Sequence, residues 1–314
     1  MSAFWQIFAL SAPLFGIVFV GYAIGRWPGW KAEWTALASR FVFAVALPAL
    51  LFHLMSGLSA LPPVDPRLLI AFFGGCLIVF ALGRIVGARC FDLDRVAQSV
   101  FALGGVFSNN VLLGVPLAKQ TLGAAALPPI ALVLVFNSLT LWTLVTVSVE
   151  WARHGSLSTR GFGRTTVSVL RNPIVASILA GTLFGLSGLH LPDPLERALG
   201  SLGSVSGPTA LLVLGMSLTE YAVLSGWQQS LAICALKLVV QPLIVWGLAL
   251  LLGLPLIETQ AVVLLASLAV GVNVYLVAAQ YETLQATVAS SLVASTALAA
   301  ITVPLLLAAL TSAG

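Results

Sequence analysis

Apolar residues run along the chain in blocks of roughly 20, each closed by charges or by a Gly/Pro cluster, which is the length a membrane-spanning helix needs. The blocks predict ten spans, at about 6–25, 34–56, 67–88, 96–118, 124–149, 168–188, 200–222, 228–252, 258–281 and 287–310. The fourth block breaks its own pattern. Ser108-Asn109-Asn110-Val111-Leu112-Leu113-Gly114-Val115-Pro116 sets two amides, a hydroxyl, a glycine and a proline at membrane depth. Pro116 lacks an N–H and would clash with the carbonyl four residues earlier, and Gly114 loosens the chain beside it. Irregular backbone at that depth is tolerated only where protein or a cavity surrounds it. The stretch therefore reads as a broken helix with a substrate site at the break, an arrangement common among secondary transporters.

Composition removes the soluble alternatives. Hydrophobic residues make up 60% of the 314, charged residues 8%, and the mean hydropathy is +1.08, so the chain is an integral membrane protein with no stretch left for a soluble domain. The net charge of +4 does not point to nucleic acid, because the basic residues sit in short loops between spans. They report orientation instead. Arg26, Lys31, Arg40, Arg84, Arg89, Arg95, Arg153, Arg160, Arg164 and Arg171 fall on one side, and only Arg67, Lys119 and Arg197 on the other. Ten against three makes the richer side cytoplasmic, so both termini are expected to face outward. Residues 1–6 carry no Lys or Arg and the apolar run extends to Ile24, which reads as a retained span and not a signal peptide. Cys76, Cys90 and Cys234 show no pairing or metal-ligand spacing.

The polar stretch 151–171, with four arginines, several Ser and Thr, and Gly155, Gly161 and Gly163, reads as a cytoplasmic linker. It divides the spans into a first repeat, 1–150, and a second, 172–314. Leu47-Pro48-Ala49-Leu50-Leu51 resembles Pro208-Thr209-Ala210-Leu211-Leu212, with Pro48 and Pro208 160 residues apart, and Asn110-Val111-Leu112-Leu113 resembles Asn273-Val274-Tyr275-Leu276 at an offset of 163. Five spans per half turn the second repeat upside down relative to the first, with the fourth and ninth spans as the two broken helices.

On these residues the chain resembles the auxin efflux carrier family, whose members include the plant PIN carriers and bacterial malate and malonate permeases. The resemblance is carried by Phe43 to Phe52, by Ser108-Asn109-Asn110 with Gly114 and Pro116, and by Arg171-Asn172-Pro173. Pro208 to Gly215 and Lys237 with Pro242 add to it. It implies an all-α fold of ten transmembrane helices in two inverted five-helix repeats, with crossing broken helices and an elevator-like movement of an organic anion. The implied fold is similar to that of the bile-acid sodium symporters. In the family the ninth span usually carries a proline near its break; here Gly271, in Ser267 to Asn273, is the residue left to relax the helix.

Ser108, Asn109 and Asn110 are the first candidates for substrate contact, with Asn273 as the repeat partner of Asn110 and Tyr275 two residues on. The competing reading is that these amides only satisfy backbone groups freed by the break or bond to neighbouring helices. Lys237 is the one charge near the middle of a span, with Gln241 a turn later on its face. It either meets a substrate carboxylate, snorkels to an interface, or sheds its proton in an apolar site and hydrogen-bonds to carbonyls. Asn137, with Ser138 and Thr140, either lines the cavity or joins helices. His53, His154 and His190 lie far apart near span ends, without metal-site spacing, and read as satisfied surface histidines.

The expected function is transport of a small organic anion across the bilayer of the inner membrane, with no cofactor. A sodium-coupled symporter of the bile-acid type is the alternative. No carboxylate lies deep in a span to hold a cation, although amide and backbone oxygens can do so. A membrane-embedded enzyme is disfavoured by the scattered histidines, and a channel by the missing ring of charge. The substrate, the direction of flux and the oligomeric state stay open, a homodimer through the first and second spans being one arrangement.

Overall fold

A computed structural model describes residues 3–57, 65–154, 173–219 and 226–313; the linker reading of 151–171 falls mostly outside them. The described residues are helical throughout apart from short connections, and the one β-type contact among them is an isolated antiparallel bridge between Ser108 and Val270. The helices are α1 (Ala3–Gly25), α2 (Ala32–Phe41), α3 (Leu47–Ser56), α4 (Arg67–Phe91), α5 (Arg95–Gly104), α6 (Val115–Thr121) and α7 (Leu127–His154). They continue as α8 (Pro173–Leu186), α9 (Asp193–Leu218), α10 (Trp227–Ala235), α11 (Gln241–Leu251), α12 (Leu256–Ser267), α13 (Val272–Gln280) and α14 (Gln285–Ala313). Six stretches among the described residues are long and apolar enough to cross a membrane: Ile7–Gly25, Ala32–His53, Arg67–Phe91, Asp193–Leu218, Trp227–Leu251 and Gln285–Leu310.

Three prolines explain a recurring irregularity. π turns at Val42–Ala46, Asn110–Gly114 and Leu236–Val240 each run directly into a helix whose second residue is Pro48, Pro116 or Pro242. A proline ring would collide with the carbonyl four residues back. Admitting one extra residue into the turn moves that carbonyl aside, and the N–H before the proline reaches five residues back instead: Leu47 to Val42, Val115 to Asn110, Gln241 to Leu236. Pro116 is thereby accommodated within a continuous helical path.

Local chemistry also sets the connection between α4 and α5. Asp92 ends α4 in the left-handed region at φ 49°, and the Asp94 carboxylate accepts from the N–H groups of Val96 and Ala97 at 2.8 and 2.9 Å, capping α5.

The closest packing falls into two groups. In one, α1 lies on α9 and α3 lies on α8 and α9; in the other, α4 packs on α5 and α11, α11 on α12, α5 on α7 and α10 on α14; α1 also packs on α14 and so joins the two. The first group depends on glycines that let backbones touch. A Cβ at Gly21 would strike the Leu212 carbonyl, one at Gly215 the Val18 carbonyl, and one at Gly181 the Phe52 carbonyl. Small residues at such crossings are how helices approach when the surrounding lipid supplies no hydrophobic drive. Phe19, Ile70, Leu77, Ile85, Leu250 and Ile301 are exposed, as apolar residues facing acyl chains should be.

Candidate functional site

Two helical paths are interrupted, and the interruptions meet. The first runs from the end of α5 at Gly104 to the π turn at Asn110; the second separates α12, ending at Ser267, from α13, starting at Val272. The first break thus lies ahead of Gly114 and Pro116, because the π turn absorbs the proline. Within the breaks the chains run antiparallel. The Asn109 N–H donates to the Ala269 carbonyl at 2.9 Å, and the Gly271 N–H to the Phe107 carbonyl at 2.7 Å.

Glycine serves contact here more than flexibility. Gly271 has ordinary extended backbone (φ −79°, ψ 144°), but a Cβ on it would lie 2.9 Å from the Ser108 carbonyl oxygen. At Gly114 a Cβ would lie 2.8 Å from Leu268 Cδ1 in the other break. Both glycines let the two segments close on each other.

The backbone groups freed by the breaks have partners brought in from outside. Lys237 Nζ donates to the Ala266 carbonyl at the C-terminal end of α12. Gln241 Nε2 donates to the Val106 carbonyl in the first break at 3.0 Å and lies 3.4 Å from Cys76 Sγ. The Ser295 hydroxyl on α14 accepts from the Val270 N–H at 3.0 Å. Lys237 and Gln241 are both 0% exposed, and one helical edge therefore braces both interruptions. Ser295 is not recognisable from the sequence. It lies in an apolar span rich in Ser and Thr, and nothing local marks it as the one that reaches the break.

The amides are left over. Ser108 Oγ, Asn109 Nδ2, and both Nδ2 and Oδ1 of Asn110 are buried without a hydrogen-bond partner, as is Asn137 Oδ1 on α7. Buried polar groups normally find partners, and leaving one unmade costs about 1–3 kcal/mol. Since the broken backbone is served by Lys237, Gln241, Ser295 and the opposite break, these side chains are not needed to repair it. Their free donors and acceptors fit a small polar ligand. Asn273 and Tyr275 are half-buried in α13, whose positive N-terminal end starts at this crossing and favours negative charge.

A separate cavity of about 400 Å³ lies between the end of α3, the start of α7 and the α8–α9 connection, with His53, Ser56, His190 and Glu196 in its wall. It contains none of the crossing residues. Among the described residues no group of His, Cys, Asp or Glu could hold a metal ion.

Residues 6–307 match a family model described as a membrane transport protein. A protein of Rhizobium meliloti (strain 1021), named provisionally as a malonate transporter, is 28% identical over 304 residues, covering 95% of this chain and 94% of that one. An uncharacterized transporter of Methanocaldococcus jannaschii is 24% identical over 292 residues, covering 89% of this chain and 91% of that one.

Proposed function

The chain belongs to the membrane transport protein family of the auxin efflux carriers, and from that premise we propose that it moves a small dicarboxylate of malonate's size across the inner membrane. The observation that carries the substrate site is the set of unpartnered polar atoms on Ser108, Asn109 and Asn110 beside two mutually hydrogen-bonded breaks. A carboxylate would accept from the amide N–H groups and the hydroxyl, and the N-terminus of α13 would add its partial positive charge. Asn273 and Tyr275 complete the wall from the opposite break.

In this reading ten spans form two inverted repeats, 1–150 and 172–314, joined by the cytoplasmic linker 151–171, with both termini outside. A recurring contact supports it. Gly21 packs on the Leu212 carbonyl and Gly181 packs on the Phe52 carbonyl. Gly21 to Gly181 and Phe52 to Leu212 are both steps of 160 residues, the offset of Pro48 to Pro208. The same glycine-on-carbonyl contact is made twice with the partners exchanged, as a two-fold relation between halves requires. The glycine-packed group of α1, α3, α8 and α9 then serves as the scaffold, and the group holding the breaks is the part that slides, in an elevator-type exchange of access.

The test is binding of mono- and dicarboxylates to the purified protein by thermal shift, with and without sodium, since a ligand that binds the folded state raises its apparent stability. A dicarboxylate shift that disappears in Asn110→Ala is the expected result. No shift with any acid overturns the substrate class, and a shift only in sodium would make the protein a symporter.

A further inference from the structure

Four helix ends meet at the crossing, and their partial charges cancel. α5 and α12 end there and present carbonyls, while α13 and the helical path resumed at Asn110 begin there and present N–H groups. Each end amounts to about half an elementary charge, two of either sign, so the backbone adds little net field. Neither break contains a charged residue. Lys237 is fully enclosed, with its Nζ on the Ala266 carbonyl, and does not face the ligand. The crossing therefore offers hydrogen bonds and no cation. Asn110 offers both kinds: it is 2% exposed with donor and acceptor alike unpartnered, whichever way its amide is turned.

We propose that the crossing takes a dicarboxylic acid in its singly protonated form. Its carboxylate accepts from the amide and hydroxyl donors of Ser108, Asn109 and Asn110, and its remaining acid O–H donates to Asn110 Oδ1. This rests on the proposed transport site and names the form of substrate that site binds. A second carboxylate would be acceptor-only, would leave water without a counter-ion, and would leave Asn110 Oδ1 without a donor. At a pH where the dianion prevails, binding takes one proton from solution. That proton crosses with the acid and is returned on the far side, so each turnover moves one acid, one proton and a single negative charge.

The titratable groups of the surrounding helices stand at far helix ends or have protein partners. Arg95 opens α5, Lys119 lies in the last turn of α6, Glu258 in the first turn of α12, and Asp193, Glu196 and Arg197 at the start of α9. α4 has Arg67 at one end and Arg84 and Arg89 toward the other, α7 is uncharged before Glu150, and α14 has no titratable side chain. Cys76 meets Gln241, Cys234 meets the Ser291 carbonyl, and Tyr22 on α1 lies under Arg26. Tyr275 on α13 is half-buried. The proton is therefore assigned to the ligand and not to a side chain.

The experiment measures binding to the wild-type protein in nanodiscs from about pH 5 to 8. The ligands are malonate, its half-amide malonamate and its monomethyl ester. The last two are fixed monoanions; malonamate keeps an N–H donor where the acid O–H would stand, and the ester has none. Malonate affinity should fall about tenfold per pH unit above its second pKa, and that of malonamate should hold level. The ester should bind at least about fivefold more weakly than malonamate. Calorimetry above that pKa, in buffers of different ionisation heat, should count about one proton taken up per malonate and none per malonamate. Malonate affinity that holds level or rises with pH shows the dianion bound; it overturns the inference and leaves the transport site standing. A fall shared by malonamate does the same, since the titrating group is then on the protein, and so does an ester bound as well as malonamate. If none of the three binds anywhere in the range, the proposed function falls and the inference with it.

Discussion

The Asn109 N–H donates to the Ala269 carbonyl at 2.9 Å, joining two segments 160 residues apart in the chain. Each segment is the gap in an interrupted helix, and each supplies what the other lacks. The bond fixes the backbone of Asn109 while leaving its Nδ2, and the whole amide of Asn110, without partners.

That separation makes Asn110→Ala a sharp test. Loss of an already unpaired buried amide should leave the unliganded protein as stable as wild type, or up to about 1 kcal/mol more stable. The carboxylate-induced thermal shift should vanish. A variant that unfolds early and still binds would show that the amide is structural.

Ser295→Ala should behave in the opposite way. It strands the Val270 N–H, which costs about 1–3 kcal/mol, and the melting temperature should fall with or without ligand. Ser295→Thr keeps the hydroxyl and should recover most of the loss.

The glycine contacts predict a strong positional contrast. Gly215→Val would drive a side chain into the Val18 carbonyl, and overpacking of this kind costs about 1–3 kcal/mol or more, read as a lower melting temperature. Gly247, with nothing within 4 Å of a Cβ, should accept alanine and gain roughly 0.5–1 kcal/mol from helix propensity.

At the start of α4 the Arg67 guanidinium holds the Asp65 carboxyl below its ordinary value of 3.8 by a side-chain hydrogen bond, aided by the Arg67 backbone N–H. A depressed carboxylate stabilises the fold above the unfolded value and loses that contribution as pH falls through the folded one. Wild type and Asp65→Asn should therefore differ slightly near neutral pH and converge below 3.8. Added salt should shrink the difference, since the pair is exposed.

Apolar blocks and the amide run Ser108 to Asn110 are local facts, and hydrocarbon imposes a local rule: a polar, irregular stretch at depth has to face protein or a cavity. The same rule misleads at Pro116. A proline in a span signals a break, yet a π turn relieves its clash within the helix, and the real gap lies at Gly105 to Asn109. Gly271 reads as a residue that loosens the helix, whereas its place is set by the Ser108 carbonyl 2.9 Å from where a Cβ would stand.

That the chain is a membrane protein, with amides and one lysine inside its apolar segments, follows from the hydropathy of short stretches and needs no fold to read. What those groups meet depends on packing between distant segments. Lys237 had three readings, and the fold gave it the Ala266 carbonyl; the amides had two, and the fold left them unpartnered by serving the broken backbone from Gln241, Ser295 and the opposite break. Those pairings join residues from 25 to 164 positions apart, a separation that local pattern does not encode and that packing alone brings to hydrogen-bonding distance.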